Sequence, residues 1–137
     1  MKLASVAKVF LCLALLVGSV PALRAQAPAE TATQFYTKYL AASGKATKIE
    51  QLLPMMGGDT KKQIEATPVA QRAQMFEMFK MMSSMNTGIK VVKETATPKG
   101  ATLNLEGLGP DKKKVTGVAT IVKEAGAWKF AGEEWKN

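Results

Sequence analysis

The chain has 137 residues, 47% of them apolar and 22% charged, and its 19 basic residues outnumber 11 acidic ones for a net charge of +8. It carries one cysteine and no histidine. That excludes a zinc-binding cluster of these residues and any serine nucleophile activated by histidine.

The opening "MKLASVAK" supplies Lys2 and Lys8, and "VFLCLALLVGSV" (9–20) is an uncharged apolar run. "PALRAQAP" follows with a breaker, Pro21, and small residues. A basic start, a short apolar run and an A-x-A-like end describe a secretory signal peptide. The run is shorter than the roughly 20 apolar residues that span a bilayer, which disfavours an uncleaved anchor. Cleavage is expected after Ala25, with Ala27 the alternative, since Pro28 follows that second bond. Cys12 follows Leu11 with no small residue before it, unlike a lipid-attachment cysteine. The expected organisation is a cleaved signal (1–25), a small-residue tether "QAPAETAT" (26–33) and one domain (34–137) that is periplasmic or secreted.

Lys2, Lys8 and Arg24 leave with the signal, so 16 basic residues remain against 11 acidic, a charge of +5. The only cysteine leaves as well, so the mature chain forms no internal disulfide. The remaining lysines are scattered, as in "KK" (61–62) and "KKK" (112–114), with no basic stripe interleaved with aromatics. No nucleic-acid partner is expected. Solvated lysines are the plain reading, and attraction to an anionic envelope surface is the other. About 110 mature residues suffice for a core without disulfide or metal.

The first half has helical punctuation. "TQFYTKYLAASG" sets Phe35, Tyr36, Tyr39 and Leu40 at helical spacing, with Thr33 as N-cap and Gly44 past the end. "TKIEQLLPMM" begins with a Thr47/Glu50 capping box and continues with Ile49, Leu52, Leu53 and Met56 as a buried stripe. Gly57-Gly58 breaks the chain, and "DTKKQIEA" restarts it as a short helix under Asp59 or Thr60. "TPVAQRAQMFEMFKMMSSMNTG" predicts the longest helix, with Thr67 as N-cap, Pro68 at the first position and Gly88 ending it.

On that helix, at about 100° per residue from Val69, Met75, Met78, Met81, Met82 and Met85 occupy an arc from about 120° to 240°. Phe79 extends this face at about 280°, while Phe76, at about 340°, falls among Arg72, Glu77 and Lys80. A stripe of this width predicts a core-facing helix filling the concave side of a sheet. Two functional readings stand beside it. Methionine adapts to irregular shapes, which suits an apolar pocket or partner groove. Its thioether also suits Cu(I). Phe76, apolar on the charged side, is the expected partner surface if no other helix covers it.

After Gly88 the period changes to two. "IKVVKETAT" (89–97), "ATLNLEG" (101–107), "KVTGVATIVKE" (114–124) and "AWKFAGEEW" (127–135) predict four strands. The short links "PKG" and "EAG" and the longer turn "GLGPDKK" make them an antiparallel meander. The fold class is therefore α+β, N-terminal helices followed by a four-stranded antiparallel meander.

This order, closing on "ATIVKEAGAWKFAGEEW" (119–135), resembles the small exported domains of the NTF2-like (cystatin-like) superfamily. Val122, Lys123, Glu124, Gly126, Trp128, Lys129, Phe130 and Trp135 carry the resemblance. It implies a cone-shaped sheet wrapped round a helix, often with an apolar pocket, and an open sheet that often pairs into a homodimer. One departure is the small hairpin that many members carry between their helices, since residues 54–67 read as loop and short helix. Enzymes of that superfamily place an aspartate or histidine base, with a tyrosine or second acid, in the pocket. Here histidine is absent, Asp59 and Asp111 have capping and turn roles, and an isomerase- or dehydratase-type reading needs Glu65, Glu94 or Glu106 to point inward. Tyr36 and Tyr39 suit either a pocket lining or hydroxyl-out core positions.

"GLGPDK" and "GGDTKK" lack the spacing of nucleotide-binding loops, and no metal or cofactor is expected. The expectation is a non-catalytic exported domain that binds an apolar small molecule or an envelope protein. Its ligand-facing residues would be Met75, Met78, Met82, Met85, Phe79, Trp128 and Phe130.

Overall fold

Where the sequence period changes from helical to alternating, the chain passes from helices to sheet. The computed structural model describes residues 29–136. The expected signal (1–25) and the first residues of the tether lie outside them. Helix α1 (Ala32–Lys45) is followed by two 3₁₀ turns (Ile49–Gln51 and Leu53–Met55), α2 (Gly58–Ala66) and α3 (Val69–Ser84). Strands β1 (Thr87–Thr97), β2 (Gly100–Leu108), β3 (Lys114–Glu124) and β4 (Ala127–Lys136) then form one antiparallel sheet in the order β1-β2-β3-β4. Among the described residues no helix is long and apolar enough to cross a membrane.

Helix α1 starts two residues earlier than its sequence signal. Thr31, not Thr33, is the N-cap: its hydroxyl accepts from the Gln34 amide, and the Gln34 side chain accepts from the Thr31 amide. Thr33 has another role, donating through its amide and hydroxyl to Glu94 on β1. The helix buries Phe35, Tyr36 and Tyr39 against Leu103 and Leu105 of β2, Ala119 and Ile121 of β3 and Phe130 of β4. Thus α1, rather than the methionine helix, covers the sheet.

Residues 47–56 do not form the expected amphipathic helix. Pro54 has no amide to donate and its ring obstructs the preceding turn, so the segment folds as two 3₁₀ turns. Instead of the Thr47/Glu50 capping box, the Thr47 amide donates to the Gln51 side chain, and Glu50 pairs with Arg72 at 3.6 Å. Ile49, Leu52 and Met56 still point inward and form a second core cluster with Ala46, Ile64 and Phe76. At the start of α2 the N-cap is Gly57, not Asp59 or Thr60, and the Glu124 carboxylate accepts from the Gly58 amide at 2.9 Å. That places a negative group at the positive end of the helix.

Strand β4 is paired on its outer edge at one point, Phe130. Met56 bridges Phe130, and the Gly57 amide donates to the Phe130 carbonyl at 2.8 Å. A short pairing of this kind covers part of an edge. The β3–β4 turn has Ala125 and Gly126 both at positive φ, the arrangement that matches the twist of a two-residue hairpin. Between β3 and β4 the register slips after Thr120, which pairs with Gly132, while Ile121 pairs with Phe130. Ala131 is therefore an extra residue in β4, and the Thr60 hydroxyl donates to its carbonyl at 3.3 Å.

Candidate functional site

The bulge at Ala131 decides what faces α1. In a regular strand Phe130 on the covered face would be followed there by Gly132 and Glu134. The extra residue reverses that parity, so Glu133 pairs with buried Ala119 and Trp135 with Gly117. Gly117 is required at its position: a Cβ there would lie 2.8 Å from the Trp135 indole. Glu133 and Trp135 therefore lie beneath the helices.

Above them, α1 contributes two tyrosines one turn apart. The Tyr36 hydroxyl donates to Glu133 at 2.7 Å, and the Trp135 indole N–H donates to the other carboxylate oxygen at 3.1 Å. Tyr39 stacks on Phe130, with ring centroids 4.2 Å apart and planes 12° from parallel. It is 2% exposed, and its hydroxyl has no hydrogen-bond partner. Burial, followed by the hydrogen bond and the negative charge of Glu133, holds the Tyr36 hydroxyl far above its ordinary range. Burial and the charge of Glu133 do the same to Tyr39. Both hydroxyls stay protonated, and the one on Tyr39 is free to make a new bond.

These groups sit in a cleft of about 240 Å³ whose walls include Leu40, Phe79, Met82, Ile89, Phe130 and Trp135, with Tyr39, Glu133, Ser43 and Ser83 as its polar points. Leu40, Ser43, Phe79, Ser83 and Ile89 also line a neighbouring groove of about 450 Å³. A larger groove of about 620 Å³ runs between the first 3₁₀ turn and α3, lined by Lys48, Glu50, Arg72 and Glu77 among others, of which Arg72 and Glu50 pair with each other.

Helix α3 is turned by about a third of a revolution from the sequence expectation. Phe76, expected on the surface as the partner residue, is 2% exposed. It packs with Ile49, Leu52, Met56 and Ile64, and its ring stacks on Phe79. The charges beside it cover it rather than expose it. Lys80 lies over the ring at 5.7 Å, and Arg72 reaches back to donate to the Thr67 and Glu65 carbonyls at the end of α2. The methionine face, expected in the core, is open to solvent: Met78 is 54% exposed, Met81 62%, Met82 66% and Met85 53%. Because α1 already fills the sheet, α3 packs on the small 3₁₀ cluster, and the two phenylalanines take that narrow contact. The helix also begins one residue later than expected, with Pro68 as cap, and ends at Ser84, before Gly88.

Of the residues expected to face a ligand, the cleft brings together Phe79, Met82 and Phe130. Met75 packs on the second core cluster, while Met78 and Met85 are on the exposed face. Trp128 sits apart, donating to the Glu30 carbonyl at 2.7 Å under the Lys123 ammonium. The three acids considered for catalysis lie elsewhere: Glu94 accepts from Thr33, Glu106 pairs with Lys114 and Glu65 with Lys61. Glu133, the acid that does enter, follows from a bulge that strand alternation does not reveal. Among the described residues no three His, Cys, Asp or Glu side chains are grouped to hold a metal ion.

No family model matches the chain, and no curated protein or solved structure does either.

Proposed function

We propose that this is an exported, non-catalytic binding domain that takes an apolar small molecule in the cleft between α1, α3 and β4. The observation that carries the reading is the Tyr39 hydroxyl, buried and without a partner on a residue that lines a mostly apolar cleft. An unpartnered buried hydroxyl costs about 1–3 kcal/mol, and a ligand with one polar group would recover that cost while covering Phe79, Met82 and Trp135. A small molecule is favoured over an envelope protein because the free polar group is recessed rather than on a protruding surface. The helices-then-meander order, α1 on the sheet and the Trp-Lys-Phe hairpin support an NTF2-like cone as the fold. Its inter-helix segment here is 3₁₀ turns and α2 in place of a hairpin. Native mass spectrometry of the protein extracted from its own envelope tests the reading. A bound organic molecule that is lost in Tyr39→Phe is expected, and a ligand retained equally by both proteins would contradict it.

A second reading has its own observation, the exposure of Met78, Met82 and Met85 on one face of α3. Three exposed thioethers about one turn apart suit Cu(I). Competition against a weak Cu(I) chelator tests it: uptake by the native chain, abolished when all three become leucine, is the expected result. Failure of the native chain to compete ends it.

A further inference from the structure

We infer that the cleft is selective for the ammonium end of a hydrophobic amine. This rests on the cleft reading above and adds the charge of the ligand. Glu133 is the one charged residue in the lining. Its two hydrogen bonds come from neutral donors, Tyr36 and Trp135, and no lysine or arginine among the described residues pairs with it. Most other carboxylates are compensated or solvated: Glu30, Glu50, Glu65, Glu106 and Asp111 have basic partners, Glu94 and Glu124 accept from amides at helix starts, and Asp59, Glu77 and Glu134 are exposed to solvent.

Half-buried and met only by neutral donors, the carboxylate is complementary to a cationic ligand group. The surroundings are those a cation favours. Tyr39, Phe130 and Trp135 line the same cleft as the carboxylate, and aromatic walls attract ammonium groups. A primary ammonium has three donors and no acceptor. Glu133 retains free lone pairs, and the unpartnered Tyr39 hydroxyl can accept as well. A neutral ligand would leave Glu133 uncompensated, and an anion would be repelled by it. Phe79, Met82 and Ile89 would cover the apolar part.

Isothermal titration of the mature chain with 2-phenylethylammonium, 2-phenylethanol and 3-phenylpropanoate separates the outcomes, because the three share a shape and differ in charge. The ammonium is expected to bind at least about tenfold tighter than the alcohol, and the anion weakest. Glu133→Gln keeps the size and one acceptor oxygen, for the Trp135 indole N–H, while its NH2 can donate to the Tyr36 hydroxyl oxygen; it should abolish the preference while the alcohol still binds. Equal binding of ammonium and alcohol, or preference for the anion, overturns the inference and leaves the cleft reading intact. Binding of none of the three overturns both. The native ligand series stands even if the variant does not fold, and a preference that fades with added salt is the independent mark of a charge pairing.

Discussion

Phe76→Ala tests the orientation of α3, and with it the position of every cleft residue that the helix contributes. The ring is 2% exposed and packs on Ile49, Leu52 and Phe79. Its transfer from water is worth about 1.5–3 kcal/mol, and the cavity left by an incomplete collapse raises the expected loss to about 3–5 kcal/mol. That is a large share of the roughly 5–15 kcal/mol of a whole domain. Met81→Ala is the matched control. With Met81 62% exposed, its loss should be within about 0.5 kcal/mol, and alanine's helix propensity offsets part of that. Urea unfolding followed by far-ultraviolet circular dichroism measures both, with the denaturant slope expected to be unchanged. If Met81→Ala cost more than Phe76→Ala, the methionine face would be the buried one and the cleft wrongly drawn.

Three further outcomes follow from the same geometry. The chain has two tyrosines, and both are held above the ordinary value of 10.0, so difference absorbance should show no tyrosinate through pH 10 until the protein unfolds. By linkage the stability from these raised values is present below pH 10 and lost as pH rises above it; an ordinary titration of either tyrosine would contradict this. Gly117→Ala forces a Cβ against the Trp135 indole and should cost about 1–3 kcal/mol, with a red-shifted tryptophan emission; an unshifted spectrum would place the indole elsewhere. Glu94, lowered chiefly by the Thr33 hydroxyl from an ordinary 4.5, contributes stability above that value which is lost as pH falls through its lower folded value. The stability gap between native and Glu94→Gln should therefore close in acid, and a gap independent of pH would rule out the capping role.

The strands were legible because turn residues bracket each alternating run, and all four begin and end within about two residues of the sequence expectation. The site was less so, for three local reasons. The apolar residues of α3 extend nearly round the helix, so angle alone does not say which sector meets a partner; that depends on α1 already occupying the sheet. The stripe of residues 49–56 took no account of the missing Pro54 amide, which replaces helix with 3₁₀ turns. Glu133 is hidden by the Ala131 bulge, since strict alternation after Phe130 points Glu134 inward. The small pair Ala131-Gly132 is the residue signal that marks where such a bulge costs little.

Methyl-labelled methionine resonances give the most direct test of the cleft. Titration with 2-phenylethylammonium should shift the Met82 methyl, which lines the site, and leave those of Met78 and Met81 in place. The Met82 shift should disappear in Tyr39→Phe/Glu133→Gln. No shift at Met82, or equal shifts along the whole exposed methionine face, would contradict a ligand held between Tyr39 and Glu133.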